Sequence, residues 1–311
     1  MLDVCLMGCG GSIPKPDRWL TSALFRYGGE CVVIDCGEGT QLAMKEAGFV
    51  AGKVALILLT HFHADHVSGL PGLLLSIANE GRVDPVVIAG PKGTSRIVSA
   101  LCIIAQGLPF QIYIYEFPNG GGELPEEYLP VNTNAACAVK IRSYPGRHSM
   151  PCLGYRISLP RGGKFDPVRA KAQNIPVKLW SRLQKGETVE ADGVTYTPDM
   201  VLGGVRRGIE VSYVTDTRPT EGIVEAVRGS DLLICEGMFA NDKTERAKKS
   251  RHMTASEAAN IAKEAEVGSL WLTHYSPSMP DPKEAEAEAK LIFPAAEAGY
   301  DGKHILMQFE D

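Results

Sequence analysis

Between Thr60 and His66 the chain reads Thr-His-Phe-His-Ala-Asp-His, with imidazoles at His61, His63 and His66 and a carboxylate at Asp65. The apolar run Val54–Leu59 directly precedes it. A buried strand opening into a ligand-rich loop presents several side chains toward one point. Imidazole suits zinc and related first-row ions, and a carboxylate adds the negative charge a dication needs. So dense a set of donors at a strand exit points to a metal site rather than to packed or surface histidines.

Of the seven histidines in the chain, six fall in contexts that suit chemistry. His148 follows Pro145-Gly146-Arg147, His252 lies just ahead of a helix start, and His274 ends the run Leu270-Trp271-Leu272-Thr273. The seventh, His304 in Gly302-Lys303-His304-Ile305, stands outside this pattern and reads as an ordinary surface or core histidine. Asp216, in Val214-Thr215-Asp216-Thr217-Arg218-Pro219, occupies a second strand exit, where a carboxylate can bridge two ions. Two-metal hydrolysis needs ligands from several segments, ions about 3.5–4 Å apart and an activated hydroxide. His61, His63, Asp65, His66, His148, Asp216 and His274 meet that demand as a set.

These residues need a scaffold of strands and helices, and the sequence supplies one. Short β-rich runs occur at Val4–Met7, Ser22–Tyr27, Cys31–Asp35, Val54–Leu59 and Val86–Ile88, with helical stretches at Gly39–Ala47 and Leu70–Asn79. The later part repeats the pattern: strands at Ile209–Val214, Asp231–Cys235 and Ser269–Leu272, and a helix at Thr254–Ala265. Alternation in both halves predicts a layered α/β domain. Thr254-Ala255-Ser256-Glu257 has the spacing of a capping box, which sets His252 near a helix N-terminus, where partial positive charge favours an anion. Lys243, Arg246, Lys248, Lys249 and Arg251 crowd that approach.

The 44% hydrophobic content of the 311 residues supports a sizeable core. No apolar stretch approaches the roughly 20 residues a membrane helix needs. The N-terminus lacks the basic region and cleavage site of a signal peptide. Eight cysteines are scattered singly without a CxxC pair, so a reducing cytoplasm is the expected home. The net charge of −5 argues weakly against a nucleic-acid partner, but residues 156–187 carry eight basic side chains against Asp166 and Glu187. Phosphate binding depends on local charge. Residues 158–199 contain Pro160, Pro167, Pro176 and Pro198 and fit neither half, so they read as an inserted excursion.

The chain resembles the ribonuclease Z family of tRNA 3′-processing endonucleases within the metallo-β-lactamase fold. The matching stretches run in family order: Leu6-Met7-Gly8-Cys9-Gly10-Gly11, Ile34-Asp35-Cys36-Gly37-Glu38-Gly39-Thr40-Gln41, the histidine motif continuing as Gly69-Leu70-Pro71-Gly72-Leu73-Leu74, His148 with Leu153-Gly154-Tyr155-Arg156, Asp216-Thr217-Arg218-Pro219, His252 with Thr254-Ala255, and Leu272-Thr273-His274-Tyr275-Ser276. The histidine core alone marks the superfamily, whereas the Gly-Leu-Pro-Gly continuation and the Thr-His-Tyr-Ser ending are narrower. The chain departs from the family at Asn174–Trp180 in the excursion, at Cys235-Glu236-Gly237-Met238, and at Pro14–Arg18.

The resemblance implies a four-layer αββα sandwich spanning 1–311 as one metallo-β-lactamase-like domain, with 158–199 as an arm that grips tRNA. It implies two zinc ions per subunit, with manganese or iron as substitutes. His61, His63 and His148 would hold one, Asp65, His66 and His274 the other, and Asp216 would bridge. Asp65 would also orient or deprotonate the attacking water. His252 would stabilise the transition state or protonate the leaving oxygen, oriented by Glu236. Precursor tRNA would be the substrate, and a homodimer the assembly, one subunit's arm serving the other's site. Two alternatives stay open at this level: a phosphodiesterase of the same fold acting on small or cyclic phosphate esters, and a metal-bearing RNA-binding protein without turnover. A lactonase or thioesterase would have no evident need for His252 or the basic arm.

Overall fold

The computed structural model describes residues 1–130, 139–204 and 206–309. Cys137 lies outside them, and the seven other cysteines are free thiols. Chain order gives β1 (Leu2–Gly8), β2 (Ser22–Tyr27), β3 (Glu30–Ile34), β4 (Val54–Leu58), β5 (Val86–Gly90) and β6 (Ile112–Glu116) in the first part. Then follow β7 (Gly122–Glu123), β8 (Lys140–Pro145), β9 (Leu153–Arg161), β10 (Val189–Ala191), β11 (Val194–Tyr196) and β12 (Arg206–Val214). The last are β13 (Leu232–Glu236), β14 (Ser269–Thr273), β15 (Ala296–Ala298) and β16 (Lys303–Met307).

Two seven-stranded sheets result, ordered β16-β1-β2-β3-β4-β5-β6 and β15-β14-β13-β12-β9-β8-β7. Strands β3 to β6 run parallel, as do β12 to β15, while the remaining neighbours pair antiparallel. Successive strand side chains point to opposite faces, and β1 shows the consequence. Val4 and Leu6 join a core shared with Ile157, Val211 and Ile234 of the other sheet. Cys5 and Met7 face Leu70, Leu73, Leu74 and Ile77 of the helix Leu70–Asn79. Ala258, Ala259, Ile261 and Ala262 of the helix Ala255–Glu264 cover the second sheet. The result is a four-layer αββα sandwich, the architecture that the resemblance implies. Strand and helix positions follow the sequence reading with ends shifted by up to three residues, as in the extension of β12 back from Ile209 to Arg206. No helix among the described residues is long and apolar enough to cross a membrane.

Parallel strands concentrate loops at their C-terminal ends, and there the sheets position chemistry. β3, β4, β12, β13 and β14 end just before or at Asp35, the Thr60–His66 loop, Asp216, Glu236 and His274. His148 lies in the β8–β9 turn at that same end, because Tyr155 near the start of β9 pairs with Tyr213 near the end of β12.

The excursion leaves at the other end. Ser158 and Leu159 belong to β9, which pairs with β12 as far as Arg161 against Arg206, so the chain departs from the sheet after Arg161 rather than at 158. Beyond it lie the helices Pro167–Ala172 and Val177–Gln184 and the β10–β11 hairpin. Ala170, Ile175, Leu179, Leu183, Val189 and Val201 form a small core of their own, separate from that of the sandwich. With a rise of about 3.3 Å per residue, the root of the excursion lies roughly 25–30 Å from the ligand-bearing end of its own sheet. Leu183 is fully buried in the small core. Leu183→Ala should therefore destabilise the excursion by about 2–5 kcal/mol, seen as faster limited proteolysis between 162 and 205 with the main thermal transition of the sandwich unmoved.

Candidate metal centre

The histidine motif leaves β4 at Leu58, and Thr60 is the first residue it fixes. Asp35 Oδ1 accepts the Thr60 N–H at 2.8 Å, and the Thr60 hydroxyl lies 2.8 Å from Asp35 Oδ2 and 3.1 Å from His61 Nδ1. The same Asp35 Oδ2 accepts His66 Nδ1–H at 2.8 Å. One buried carboxylate thus orients two imidazoles, leaving each Nε2 to face inward. A partner on the outer ring nitrogen is how proteins fix the tautomer of a ligating histidine. Asp35 was not among the expected site residues. Its signal was nonetheless present, since Ile34-Asp35-Cys36 is a strand-exit aspartate like that of Val214-Thr215-Asp216.

Three of the strand-exit residues adopt the left-handed backbone: Asp35 at φ 59°, Asp216 at 45° and His274 at 57°. For non-glycine residues this conformation is uncommon and costs on the order of 1–3 kcal/mol. It turns each side chain sharply out of its strand and into the space between the sheets' ends.

The inward atoms converge in two groups. His61 Nε2 lies 3.0 Å from His63 Nδ1, which lies 3.3 Å from His148 Nε2. Asp216 Oδ2 faces this group, 3.5 Å from His61 Nε2 and 3.8 Å from His148 Nε2. In the second group His66 Nε2 and His274 Nε2 are 3.1 Å apart, and Asp65 Oδ2 lies 3.6 and 3.4 Å from them. Asp216 Oδ1 faces this pair, at 3.3 and 3.1 Å. A tetrahedral ion with bonds near 2.0–2.1 Å sets its ligand atoms about 3.3–3.4 Å apart. Spacing and donor types therefore fit a divalent cation in each group, with one Asp216 oxygen turned to each.

Charge supports coordination. Burial, then the neighbouring His66, holds the His61 imidazole well below its ordinary value, against the pull of Asp216. Burial likewise lowers His63 and His148. All three are thus kept neutral, the form that binds metal. His66 behaves oppositely: burial pushes it down, but Asp216 and Asp35 raise it well above the usual range. Burial also opposes ionisation of Asp65, yet His274 and His66 hold its carboxyl below the ordinary range.

His252 sits beside the two groups rather than in them. Its ring stacks on His274 at 5.4 Å between centroids, and its Nδ1 donates to Glu236 Oε2 at 3.1 Å. Glu236 is fully buried and also accepts the Thr217 N–H at 2.6 Å and the Met253 N–H at 3.1 Å. Burial lowers the His252 imidazole, but Glu236 outweighs it and the group is raised to about 9. Glu236, not the helix N-terminus, sets this charge state. The helix is capped as its sequence predicts, with Thr254 accepting the Glu257 N–H at 3.2 Å. Of the basic residues expected on the approach, Arg251 is committed: its guanidinium donates to the His148 carbonyl at 2.6 Å, and His148 Nδ1 donates to the Arg251 carbonyl at 3.2 Å. His304 lies apart, paired with Asp3.

The N-terminal loop completes the second group. Asp65 Oδ2 accepts the Ser12 N–H at 2.6 Å. Gly11 lies flat against His274, where an added methyl would meet the imidazole at 2.6 Å. Gly11→Ala should accordingly displace His274 and weaken metal retention at the Asp65, His66 and His274 group. Chelator competition followed by metal analysis would show faster loss of part of the bound metal, and unchanged retention would remove this role for Gly11.

Comparison with known proteins accords with this geometry. The model of the beta-lactamase superfamily domain matches residues 197–275, and that of anti-Pycsar protein Apyc1 matches residues 2–94. Among solved structures, the metallo-beta-lactamase fold protein YhfI from Bacillus subtilis has a TM-score of 0.68 at 20% identity, over 98% of both chains. The short form of human tRNase Z has a TM-score of 0.67 at 22% identity, over 99% of this chain and 100% of that one. A curated ribonuclease Z from Lachnoclostridium phytofermentans is 48% identical over 311 residues, covering 100% of this chain and 99% of the relative. Identity at that level over the full length, on a fold whose strand exits gather this donor set, means that the chain belongs to the ribonuclease Z family.

Proposed function

We propose that this protein is a two-metal endoribonuclease that removes the 3′ trailer of precursor tRNA, with zinc as the metal. The observation that carries the metal assignment is Asp216, whose two oxygens face two separate ligand groups. His61, His63 and His148 would hold one ion, and Asp65, His66 and His274 the other, with Asp216 common to both. Bound there, the ions supply Lewis acidity that polarises a phosphodiester and makes water nucleophilic near neutral pH. The substrate assignment rests on full-length relatedness to ribonuclease Z.

The chain's own groups divide the remaining work. Asp65 stays anionic, and with Oδ2 engaged by the Ser12 N–H its other oxygen orients the attacking water. His252 has Nδ1 committed to Glu236, which leaves Nε2 to donate to the phosphoryl or leaving oxygen. Because the group is raised to about 9, it is protonated at neutral pH and loses its proton as pH rises through that value.

The basic excursion serves as the tRNA grip in this reading. Its root at the far end of its own sheet favours an assembly in which one subunit's arm reaches the other's centre. That arrangement, a homodimer, belongs to the same proposal.

The deciding experiment is cleavage of a 3′-extended precursor tRNA by the zinc-loaded protein, with bis(p-nitrophenyl) phosphate assayed alongside. A single cut just after the discriminator base is expected, and His63→Ala should abolish it together with part of the metal content. Intact precursor with a hydrolysed diester would overturn the substrate and leave the metal chemistry standing. A second test concerns the acid. Glu236→Gln removes the carboxylate that holds the His252 proton, so the alkaline limb of kcat should move to lower pH while the acidic limb stays in place. A profile unchanged in shape would remove His252 from the proton transfer.

A further inference from the structure

Arg218 stands two residues beyond Asp216, and its guanidinium joins its own loop to His252 and to the helix that carries Glu257. Nη1 donates to Glu257 Oε2 at 2.9 Å and also to the His252 carbonyl, while Nη2 donates to Glu257 Oε1. Glu257 Oε2 in turn accepts the Thr254 N–H at 3.0 Å within the capping box. The main chain around Arg218 is tied equally firmly. Its N–H donates to the Arg147 carbonyl at 3.1 Å, and the Thr217 hydroxyl accepts the Arg147 N–H at 2.7 Å. Both side chains of the ion pair are largely sheltered, with 15% and 23% of their surface exposed.

A planar fork on a carboxylate fixes direction as well as distance. Here the fork takes its bearing from a residue on the capped helix, and one of its nitrogens also holds the carbonyl of His252. The ring of His252 lies over His274 and against Glu236, and its N–H donates to the Ala247 carbonyl at 2.9 Å. Arg218 adds the hold on its carbonyl.

We propose that Arg218 is a positioning residue for His252, acting through the His252 carbonyl and the Glu257 carboxylate without touching substrate. This rests on the reading of His252 as the proton donor. It predicts that the two residues form one functional unit. Losing either should cost the chemical step, and losing Arg218 once His252 is gone should cost nothing further.

The test is a double-mutant cycle on precursor-tRNA cleavage with Arg218→Ala, His252→Ala and the combined variant, with metal content and thermal midpoint measured on each. Arg218→Ala should lower kcat by roughly 10–100-fold, the scale of a misplaced catalytic group, with KM and metal content near the parent values. The combined variant should match His252→Ala, the non-additivity expected of a coupled pair. Guanidinium ion should restore part of the Arg218→Ala rate. Glu257→Gln, which keeps an oxygen for the Thr254 N–H, serves as the milder variant and should show a smaller loss confined to kcat. If His252→Ala is slow and the two losses multiply, Arg218 acts elsewhere and this inference falls alone. Loss of metal in proportion to activity would likewise make Arg218 a scaffold residue. A fully active His252→Ala would remove the proton-donor reading, and this inference with it.

Discussion

The structure turns on the carboxylate of Asp216. It is almost wholly buried at the mouth of the sandwich, with ring nitrogens of His61, His66, His148, His252 and His274 within 3.8 Å of its oxygens. A buried carboxylate is costly unless charge or hydrogen bonds answer it. Here the answering groups are imidazoles, whose ring nitrogens gather round both carboxylate oxygens in groups that could each hold a metal ion. Much of the surrounding structure keeps these donors in place: Asp35 behind His66, Thr60 behind His61, Gly11 against His274, Ser12 on Asp65, and Glu236 with Arg218 behind His252.

A sandwich of two sheets suits this load because its strands are rigid and the loops that carry the donors open at one end. Both sheets contribute their parallel strands' C-terminal ends, and His148 comes from an antiparallel turn at the same end. The left-handed residues Asp35, Asp216 and His274 mark where strand geometry is given up for site geometry. Local strain of this kind persists only where the surroundings over-determine the conformation. The fully buried, closely packed strands behind each of these residues provide that.

The excursion follows a different logic. It has its own small core and hangs from the opposite end of β9 and β12, so its folding places few demands on the metal centre. Such separation lets the excursion vary in sequence without disturbing the donor set.

The sequence by itself determined the candidate donors and the layers. His61, His63, Asp65 and His66 are legible because four donors crowd one strand exit, and continuous apolar runs such as Val54–Leu59 tell which segments are buried on both faces. The capping box at Thr254 and Glu257 is local and was readable for the same reason. What lies far apart in sequence was decided only in the tertiary structure. Asp35 becomes the orienter of His66, 31 residues away, only when β3 and β4 pair. The true root of the excursion at Arg161 depends on how far β9 finds hydrogen bonds on β12. Arg218 grips Glu257 across 39 residues, and Gly11 meets His274 only once the N-terminal loop closes over β14. Donor type and periodicity are local properties and are written along the chain. Orientation and protonation arise from contacts between segments, and only the packed sandwich brings those segments together.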